Sequence, residues 1–249
     1  TTPASVERLF CELLAACDER SIELIGGHTE ITAGLDRPLL IGQMLGTAQP
    51  EALIRPGNAK PGDRLLISRP IAIEGTALLA HEMRQDLTAA LDKELVERAA
   101  QFLDDPGISV VADARVLRAT GWVTALHDPT EGGLATGITE IAAASGLGAF
   151  VSEAAIPIYD ETRAIAGHLG LNPLGMLASG TLLAAIDPAG MGDVEAACRE
   201  AGMPFAWIGK LVAPEHGCRI RTAEGERALK TFATDEASRA LNTSRDSEA

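Results

Sequence analysis

Clustered basic residues are missing from this chain of 249 residues, which carries 21 lysines and arginines against 35 aspartates and glutamates. The formal net charge is −14. Proteins that bind nucleic acid neutralise its phosphates with concentrated positive charge, so nucleic acid is not an expected partner. An anionic ligand must instead be held by backbone dipoles, by a metal ion or by a few placed side chains.

Cysteine pairs and long apolar runs are missing as well. The four cysteines show neither a Cys-x-x-Cys pair nor the spacing of metal ligands. No signal peptide is recognisable, and no apolar run is long enough to span a bilayer, so we expect no membrane partner and a cytoplasmic protein with reduced thiols. No Gly-x-Gly-x-x-Gly fingerprint follows a strand, which disfavours a hydride-transfer enzyme.

The most informative segment that is present reads His-Asp-Pro-Thr-Glu-Gly-Gly-Leu, from His127 to Leu134. Asp128 fits a helix N-cap, and Glu131 fits the N3 position of a capping box. Two consecutive glycines cost about 1 kcal/mol each relative to alanine inside a helix, so another reason must favour them, such as a ligand close to the backbone. The polar side chains of this segment could hold a metal ion or transfer a proton. The free N–H groups at the start of the following helix could bind an anion. The alternative is an ordinary capped helix packed against a sheet.

A second glycine pair follows a predicted strand over Ile22–Ile25 and continues as Gly26-Gly27-His28-Thr29-Glu30-Ile31. If the strand resumes after the glycines, His28 and Glu30 lie on one face and Thr29 lies on the other. Two potential ligands then point the same way. The alternative is a β-hairpin with polar residues on its wet face.

The remaining pattern alternates strands with helices, which predicts a layered α/β or α+β architecture. A turn cluster at Ala59–Asp63 marks the expected domain boundary, between a partial first domain over residues 1–60 and a second over 61–235. The polar stretch from about Thr234 is expected to be frayed, with 236–249 as a flexible tail. Helices are predicted over 6–20, 77–83, 93–102, 110–119, 160–169 and 191–201, and strands over 38–45, 64–68, 123–126, 149–158, 180–186 and 205–212.

Several short motifs in this order resemble the aminoimidazole ribonucleotide synthetase superfamily. They are Gly26–Glu30, Lys60–Asp63, Ile73–Thr76, Asp128–Leu134 and Ala178–Gly180. Each motif is weak alone, whereas the ordered set is specific and covers most of the chain. The superfamily includes selenophosphate synthetase, thiamine-monophosphate kinase and the hydrogenase-maturation dehydratase. Within the superfamily, the motif sequences of this chain are most similar to those of poorly characterised synthetase-related or hydrogenase-expression proteins.

The resemblance implies two α/β domains, the first of which forms a shared β-barrel in a homodimer. Mg-ATP would lie in the cleft, and the γ-phosphoryl group would pass to an amide or carbonyl oxygen of a small molecule or a maturation partner. That transfer turns the oxygen into a good leaving group. The expected function is therefore ATP-dependent phosphoryl transfer or ATP-driven dehydration, and the alternative is a non-catalytic binding or assembly protein on the same fold.

The resemblance also implies roles for the motif residues. Asp128 would assist the magnesium ion and the catalysis, with Glu30 as a further metal ligand, because divalent cations that bridge phosphates favour oxygen ligands. Gly132 and Gly133 would admit the phosphates. His28 would contact a phosphate or transfer a proton, since a histidine is a poor magnesium ligand. Gly26, Gly27 and Thr29 would complete the nucleotide site.

The chain departs from the family pattern in two places. It ends Ser-Arg-Asp-Ser-Glu-Ala, without the terminal cysteine that carries the reacting group in the maturation dehydratases, so we expect that specific activity to be absent. Only about 60 residues precede the expected boundary, where a domain typically needs ~100–150. The aspartate-rich nucleotide motif of the family is not found, so we expect a truncated chain that is itself inactive, and the alternative is a relative that has lost that half of the domain.

Overall fold

The computed structural model describes residues 2–35 and 37–248, with the side chains of 244–248 outside the described part. The chain divides into two compact units, Thr1–Pro50 and Glu51–Ala249. This division falls before the turn cluster that the sequence indicated as the boundary. Each unit is described by itself below.

The first unit contains one long helix, α1 (Pro3–Glu19). Thr2 caps it, since its hydroxyl accepts the N–H of Ser5 while the Ser5 hydroxyl is accepted by the Thr2 carbonyl, and Pro3 occupies the first helical position. The helix predicted over Val6–Arg20 is confirmed.

The strands predicted over Ile22–Ile25 and Pro38–Leu45 were wrong, because no strand forms among the described residues of this unit. Within residues 23–35 and 37–49, no backbone hydrogen bond to another described residue is made. A strand is stable only when a neighbour pairs with it, and the described chain supplies no such neighbour. Large apolar side chains consequently remain exposed, including Ile31 at 87 % and Ile41 at 91 %.

The second unit consists of helices on both sides of one mixed sheet. Its helices are α2 (Ile73–Glu82), α3 (Arg84–Ala90), α4 (Lys93–Ala100), α5 (Val111–Ala119), α6 (Gly133–Ser145), α7 (Asp160–Leu169), α8 (Met191–Glu200) and α9 (Glu236–Glu248), and its strands are β1 (Arg64–Ile67), β2 (Val123–His127), β3 (Gly148–Ser152), β4 (Leu183–Ile186), β5 (Ala206–Val212), β6 (Cys218–Thr222) and β7 (Gly225–Ala228). Helix α3 and strands β6 and β7 were not predicted.

The seven strands lie in the order β2-β4-β1-β5-β3-β6-β7. The β3 and β6 strands pair parallel, and the other neighbours pair antiparallel. Mixed helices and strands of this kind confirm the α+β fold class. None of the helices in the described part combines the length and apolar character that a membrane crossing requires.

Alternating side chains of the strands build a core on each face of the sheet. Leu65 and Ile67 of β1 face a large apolar cluster that includes α2, α4, α6 and α7 residues, whereas Leu66 between them joins a smaller cluster with α5 and α8. The short β1 strand is therefore buried on both faces and forms the centre of the unit.

The expectation of a frayed tail was wrong where the tail begins. Residues Glu236–Glu248 form α9, and the side chains of Asp235, Glu236 and Ala237 are buried. The polar residues that suggested fraying include Asp235 and Glu236. Their carboxylates cap or anchor this helix and so hold the segment in place.

Candidate functional site at one edge of the sheet

Three motif-bearing loops leave the same edge of the sheet. Leu183, at the start of β4, pairs with Ile67 at the end of β1 and with His127 at the end of β2. Because β4 runs antiparallel to both neighbours, the loops after β1 and β2 meet the loop before β4. The Ile73–Thr76, Asp128–Leu134 and Ala178–Gly180 motifs are thus brought together at one edge.

The Ile73–Thr76 motif forms the first turn of α2. The N–H of Gly75 donates to the carbonyl of Leu177 over 3.0 Å, and a Cβ on Gly75 would stand 3.2 Å from backbone atoms of Leu177. Glycine is needed here because the helix packs directly on the loop before β4. The Oε2 atom of Glu74 is buried and has no hydrogen-bond partner among the described residues.

The glycine pair of the Asp128–Leu134 motif adopts a left-handed conformation, with φ of 72° at Gly132 and 65° at Gly133. A Cβ on Gly133 would lie 2.5 Å from the carbonyl oxygen of Leu174 and 2.6 Å from that of Met176. The pair is therefore explained by positive φ and by close approach of the chain's own backbone. The close approach that the sequence indicated is real, but the approaching group in this structure is the 174–176 segment.

The N–H groups of both glycines are used inside the chain. Gly132 donates to Oδ2 of Asp235 over 3.0 Å, and Gly133 donates to the carbonyl of Thr130 over 3.1 Å. The same Thr130 carbonyl accepts the N–H of Ala178. These bonds tie the glycine turn to the loop before β4 and to the segment that leads into α9.

The capping box predicted from Asp128 and Glu131 was wrong. Helix α6 begins at Gly133, its N-cap is Gly132, and no side chain caps it from that position. The positive φ at Gly132 interrupts the helix that Pro129 would otherwise start. The Asp128 side chain is 77 % exposed, so its carboxylate projects from the loop and is free of a capping role.

His127 lies between two carboxylates at the end of β2. Its Nε2 atom contacts Oε2 of Glu140, and its Nδ1 atom lies 3.8 Å from Oδ1 of Asp128. Glu140, on the second turn of α6, therefore orients the imidazole ring through the nitrogen that does not face Asp128. This partner was not found from the sequence, although its spacing from Gly133 along the helix placed it on the same side as the loop.

The acidic pair Asp235-Glu236 was not predicted from the sequence as part of this site. Oδ1 of Asp235 accepts the N–H of Ala237 over 2.8 Å, which caps α9, while Oδ2 accepts the Gly132 N–H. Burial raises the pKa of Asp235, and the backbone donors partly oppose that rise. A signal was available, because an aspartate two residues before an apolar helical position is a common helix start.

Glu236 is held by a different set of donors. It accepts the N–H of Asn172 over 2.9 Å and pairs with Arg239 over 3.0 Å. Burial alone would raise its pKa, and the hydrogen bonds from Arg239 and Asn172 outweigh that effect, so the pKa of Glu236 is lowered.

The other glycine-pair motif lies in the first unit, and all five of its residues are exposed: Gly26, Gly27, His28, Thr29 and Glu30. Nε2 of His28 is 3.7 Å from Oε2 of Glu30, so the two potential ligands are neighbours. Neither glycine has a positive φ, and a Cβ on either one would meet nothing within 4 Å. The conformation of this segment therefore does not itself require glycine.

The described side chains do not form a preorganised metal site. Among the described side chains, those of residues 2–35 and 37–243, no group of three or more histidine, cysteine, aspartate or glutamate residues is arranged to hold a metal ion. Magnesium commonly takes one or two carboxylates and completes its shell with water and substrate phosphates. The exposed Asp128 carboxylate on an anchored loop fits that kind of site.

Comparisons with known proteins agree with these motifs. Residues 60–220 match the family described as AIR synthase related protein, C-terminal domain. The carbamoyl dehydratase HypE of Bradyrhizobium diazoefficiens is 34 % identical over 209 residues, which cover 81 % of this chain and 57 % of that protein. This chain thus spans little more than half the length of that relative.

Solved structures show the same likeness. A crystal structure of the hydrogenase maturation protein HypE in complex with ATP has a TM-score of 0.54 and 28 % identity, covering 73 % of this chain and 54 % of the other. Thiamine monophosphate kinase from Aquifex aeolicus has a TM-score of 0.60 over 88 % of this chain and 69 % of its own, at 15 % identity, which is a likeness of fold alone. The superfamily predicted from the motifs is confirmed, and this chain belongs to the AIR synthase related family.

Proposed function

We propose that this chain is part of an ATP-dependent enzyme that transfers the γ-phosphoryl group to an amide or carbonyl oxygen. The observation that carries the proposal is the convergence of three motif loops at one sheet edge, with an exposed carboxylate, Asp128, on the most firmly anchored of them. The HypE relative is named a carbamoyl dehydratase, and a HypE structure contains ATP. A carbamoyl group is accordingly the acceptor to test first, and that test also checks the expectation from the sequence that this particular activity is absent.

Asp128 is the residue we assign to the magnesium of Mg-ATP, and Glu30 is the candidate oxygen ligand that the first unit contains. Bound magnesium would neutralise charge on the β- and γ-phosphates as the phosphoryl group moves. His127, oriented by Glu140, contributes positive charge beside Asp128 when it is protonated. His28 would contact a phosphate or transfer a proton, and Gly26, Gly27 and Thr29 would line the nucleotide.

Gly132 and Gly133 serve the site by shaping it. Their own N–H groups are occupied, so the pair acts through the tight turn that places Asp128 and Thr130 at the sheet edge. This differs from direct donation to a phosphate, and it explains why two glycines are needed where a helix would favour other residues.

The proposed reaction balances as a dehydration. The acceptor oxygen forms a bond to the γ-phosphorus while the bond to the β–γ bridging oxygen breaks and ADP leaves. The acceptor C–O bond then breaks, phosphate departs with the acceptor oxygen, and the nitrogen of a primary amide loses its two protons to give a nitrile. Glu74 is the acceptor we assign to one of these protons, because its buried Oε2 atom has no donor among the described residues, and the other proton leaves with the phosphate.

A binding or assembly role on the same fold is the second candidate. Exposed apolar side chains in the first unit, such as Leu39 and Leu40 at 61 % and 62 %, favour association with another chain. A homodimer or a maturation partner would each cover them. Neither kind of association excludes catalysis, so a turnover measurement is needed to separate the enzymatic role from the assembly role.

The deciding experiment uses the product of the complete reading frame with Mg-ATP and a peptide that carries an ¹⁸O-labelled carbamoyl group. Transfer of the label into phosphate, read by the isotope shift in ³¹P NMR, is the expected result, and it should disappear in the Asp128→Asn variant. Phosphate without label would show hydrolysis of ATP by water. Absence of any turnover with binding of a partner chain would favour the assembly role.

A further inference from the structure

The segment that leads into α9 contacts the glycine turn at a single charged group. The Asp235 side chain is only 6 % exposed, and its two oxygens serve two helices, with Oδ1 at the first turn of α9 and Oδ2 at the N-cap of α6. Nearby, the ring of Phe232 fills the space beside Gly175 where a Cβ would stand. The loop before β4 and the glycine turn are thus both in contact with this segment.

An aspartate that only caps α9 needs one oxygen. Serine or asparagine at the same position caps a helix about as well as aspartate, so capping alone does not require the second carboxylate oxygen. That second oxygen is directed at Gly132, 103 residues earlier in the chain. The contact lies at the turn whose position determines where Asp128 stands.

We propose that Asp235 is a positioning residue of the phosphoryl-transfer site, acting through the Gly132 N–H to hold the Asp128 loop in place. The inference rests on the proposed function, since it assigns Asp235 to the same site. The carboxylate touches neither nucleotide nor acceptor. Its effect is to keep the left-handed turn at Gly132 closed, so that Asp128 and the Thr130 carbonyl stay at the sheet edge.

Charge around Asp235 makes this arrangement specific. Burial disfavours the charged form of Asp235, and the charge of Glu131 adds to that effect. The Gly132, Ala237 and Ser238 N–H groups offset these costs in part. Loss of the Gly132 contact alone would therefore leave α9 capped while it releases the turn.

Two variants separate these contacts. Asp235→Ser keeps the cap of α9 but is too short to reach Gly132, and Asp235→Asn can offer an acceptor oxygen to only one of the two helices. The matched control is Glu236→Gln, an equally buried neighbour that bonds Asn172 and Arg239 and does not touch the glycine turn. All are made in the product of the complete reading frame.

The measurements are amide hydrogen exchange over residues 130–135 without nucleotide, and the steady-state constants with Mg-ATP. For Asp235→Ser we expect exchange at Gly132 to rise about tenfold, as for loss of one charge-assisted bond, and KM for Mg-ATP to rise with a smaller change in kcat; in Asp235→Asn the rise is expected at whichever of Gly132 and Ala237 loses the single amide oxygen. Glu236→Gln should lower the melting temperature without either effect.

The outcomes distinguish the two proposals. If wild-type protein turns over with Mg-ATP and the Asp235 variants match Glu236→Gln in both exchange and KM, the positioning role is overturned and the proposed function stands. Faster exchange with unchanged KM also overturns it, because the contact would then be structural only. If wild-type protein shows no response to Mg-ATP, the proposed function fails and the positioning role fails with it.

Discussion

Replacement of Gly133 by alanine tests the structural basis of the glycine turn. Its φ of 65° costs an L-residue about 1–2 kcal/mol. The added Cβ would also stand 2.5 Å from the Leu174 carbonyl oxygen and 2.6 Å from that of Met176, and overpacking against backbone of this kind costs typically 1–3 kcal/mol. The free energy of unfolding should therefore fall by about 2–5 kcal/mol, or roughly 5–15 °C in melting temperature.

Gly146→Ala is the matched control, because Gly146 ends the same helix with a φ of 67° and a Cβ there would meet nothing within 4 Å. It should lose only the conformational cost of about 1–2 kcal/mol. Urea denaturation of both variants, with the m-value compared to wild type, measures the difference. Equal destabilisation of the two variants would refute the claim that Gly133 is needed for close packing against residues 174–176.

Four further predictions follow from the exposure and the contacts of single side chains. Asp128→Ala should change the free energy of unfolding by less than about 0.5 kcal/mol in urea denaturation, since its exposed carboxylate caps nothing; a loss of about 1 kcal/mol would restore the capping role. The pKa of Glu236 is lowered in the fold, so its contribution to the free energy of unfolding is present above the ordinary glutamate pKa and is lost as the pH falls through the lowered value. Glu236→Gln should therefore make the free energy of unfolding depend less on pH in the acidic range. The raised pKa of Asp235 acts in the opposite sense, so Asp235→Asn should relieve a loss of stability as the pH rises through the acidic range, and a common direction for both variants would contradict this account. Leu40→Lys should weaken self-association in sedimentation across a concentration series, whereas a monomer at every concentration would show that these side chains are covered within one chain.

Local signals predicted much of the second unit. Helix α7 was predicted at Asp160–Leu169, where the structure has it, and the strand predicted over Phe205–Val212 is β5. In both cases an apolar period and adjacent turn residues agree with the final packing, so short-range information suffices. The end of α6 is equally local, because Gly146 after Ser145 adopts the left-handed conformation that ends the helix.

The errors arose where distant residues decide the structure. Asp128 satisfies every local rule for an N-cap, yet the packing of Gly133 on residues 174–176 delays the helix to Gly133. The segment 22–45 has strand-like alternation, but strands need neighbours that the described chain does not provide. The contact from Asp235 to Gly132 joins residues 103 positions apart in the chain, and no local pattern encodes such a pair.

The central claim is that the Asp128 loop at the sheet edge binds the metal and phosphates of Mg-ATP. Calorimetric titration of Mg-ATP into the product of the complete reading frame tests it, with Asp128→Asn as the paired variant. We predict saturable binding that requires magnesium and that weakens at least about tenfold in Asp128→Asn, as expected for loss of a charged ligand, while the melting temperature without nucleotide stays unchanged. Equal affinity in the two proteins, or binding that is independent of magnesium, would contradict the account.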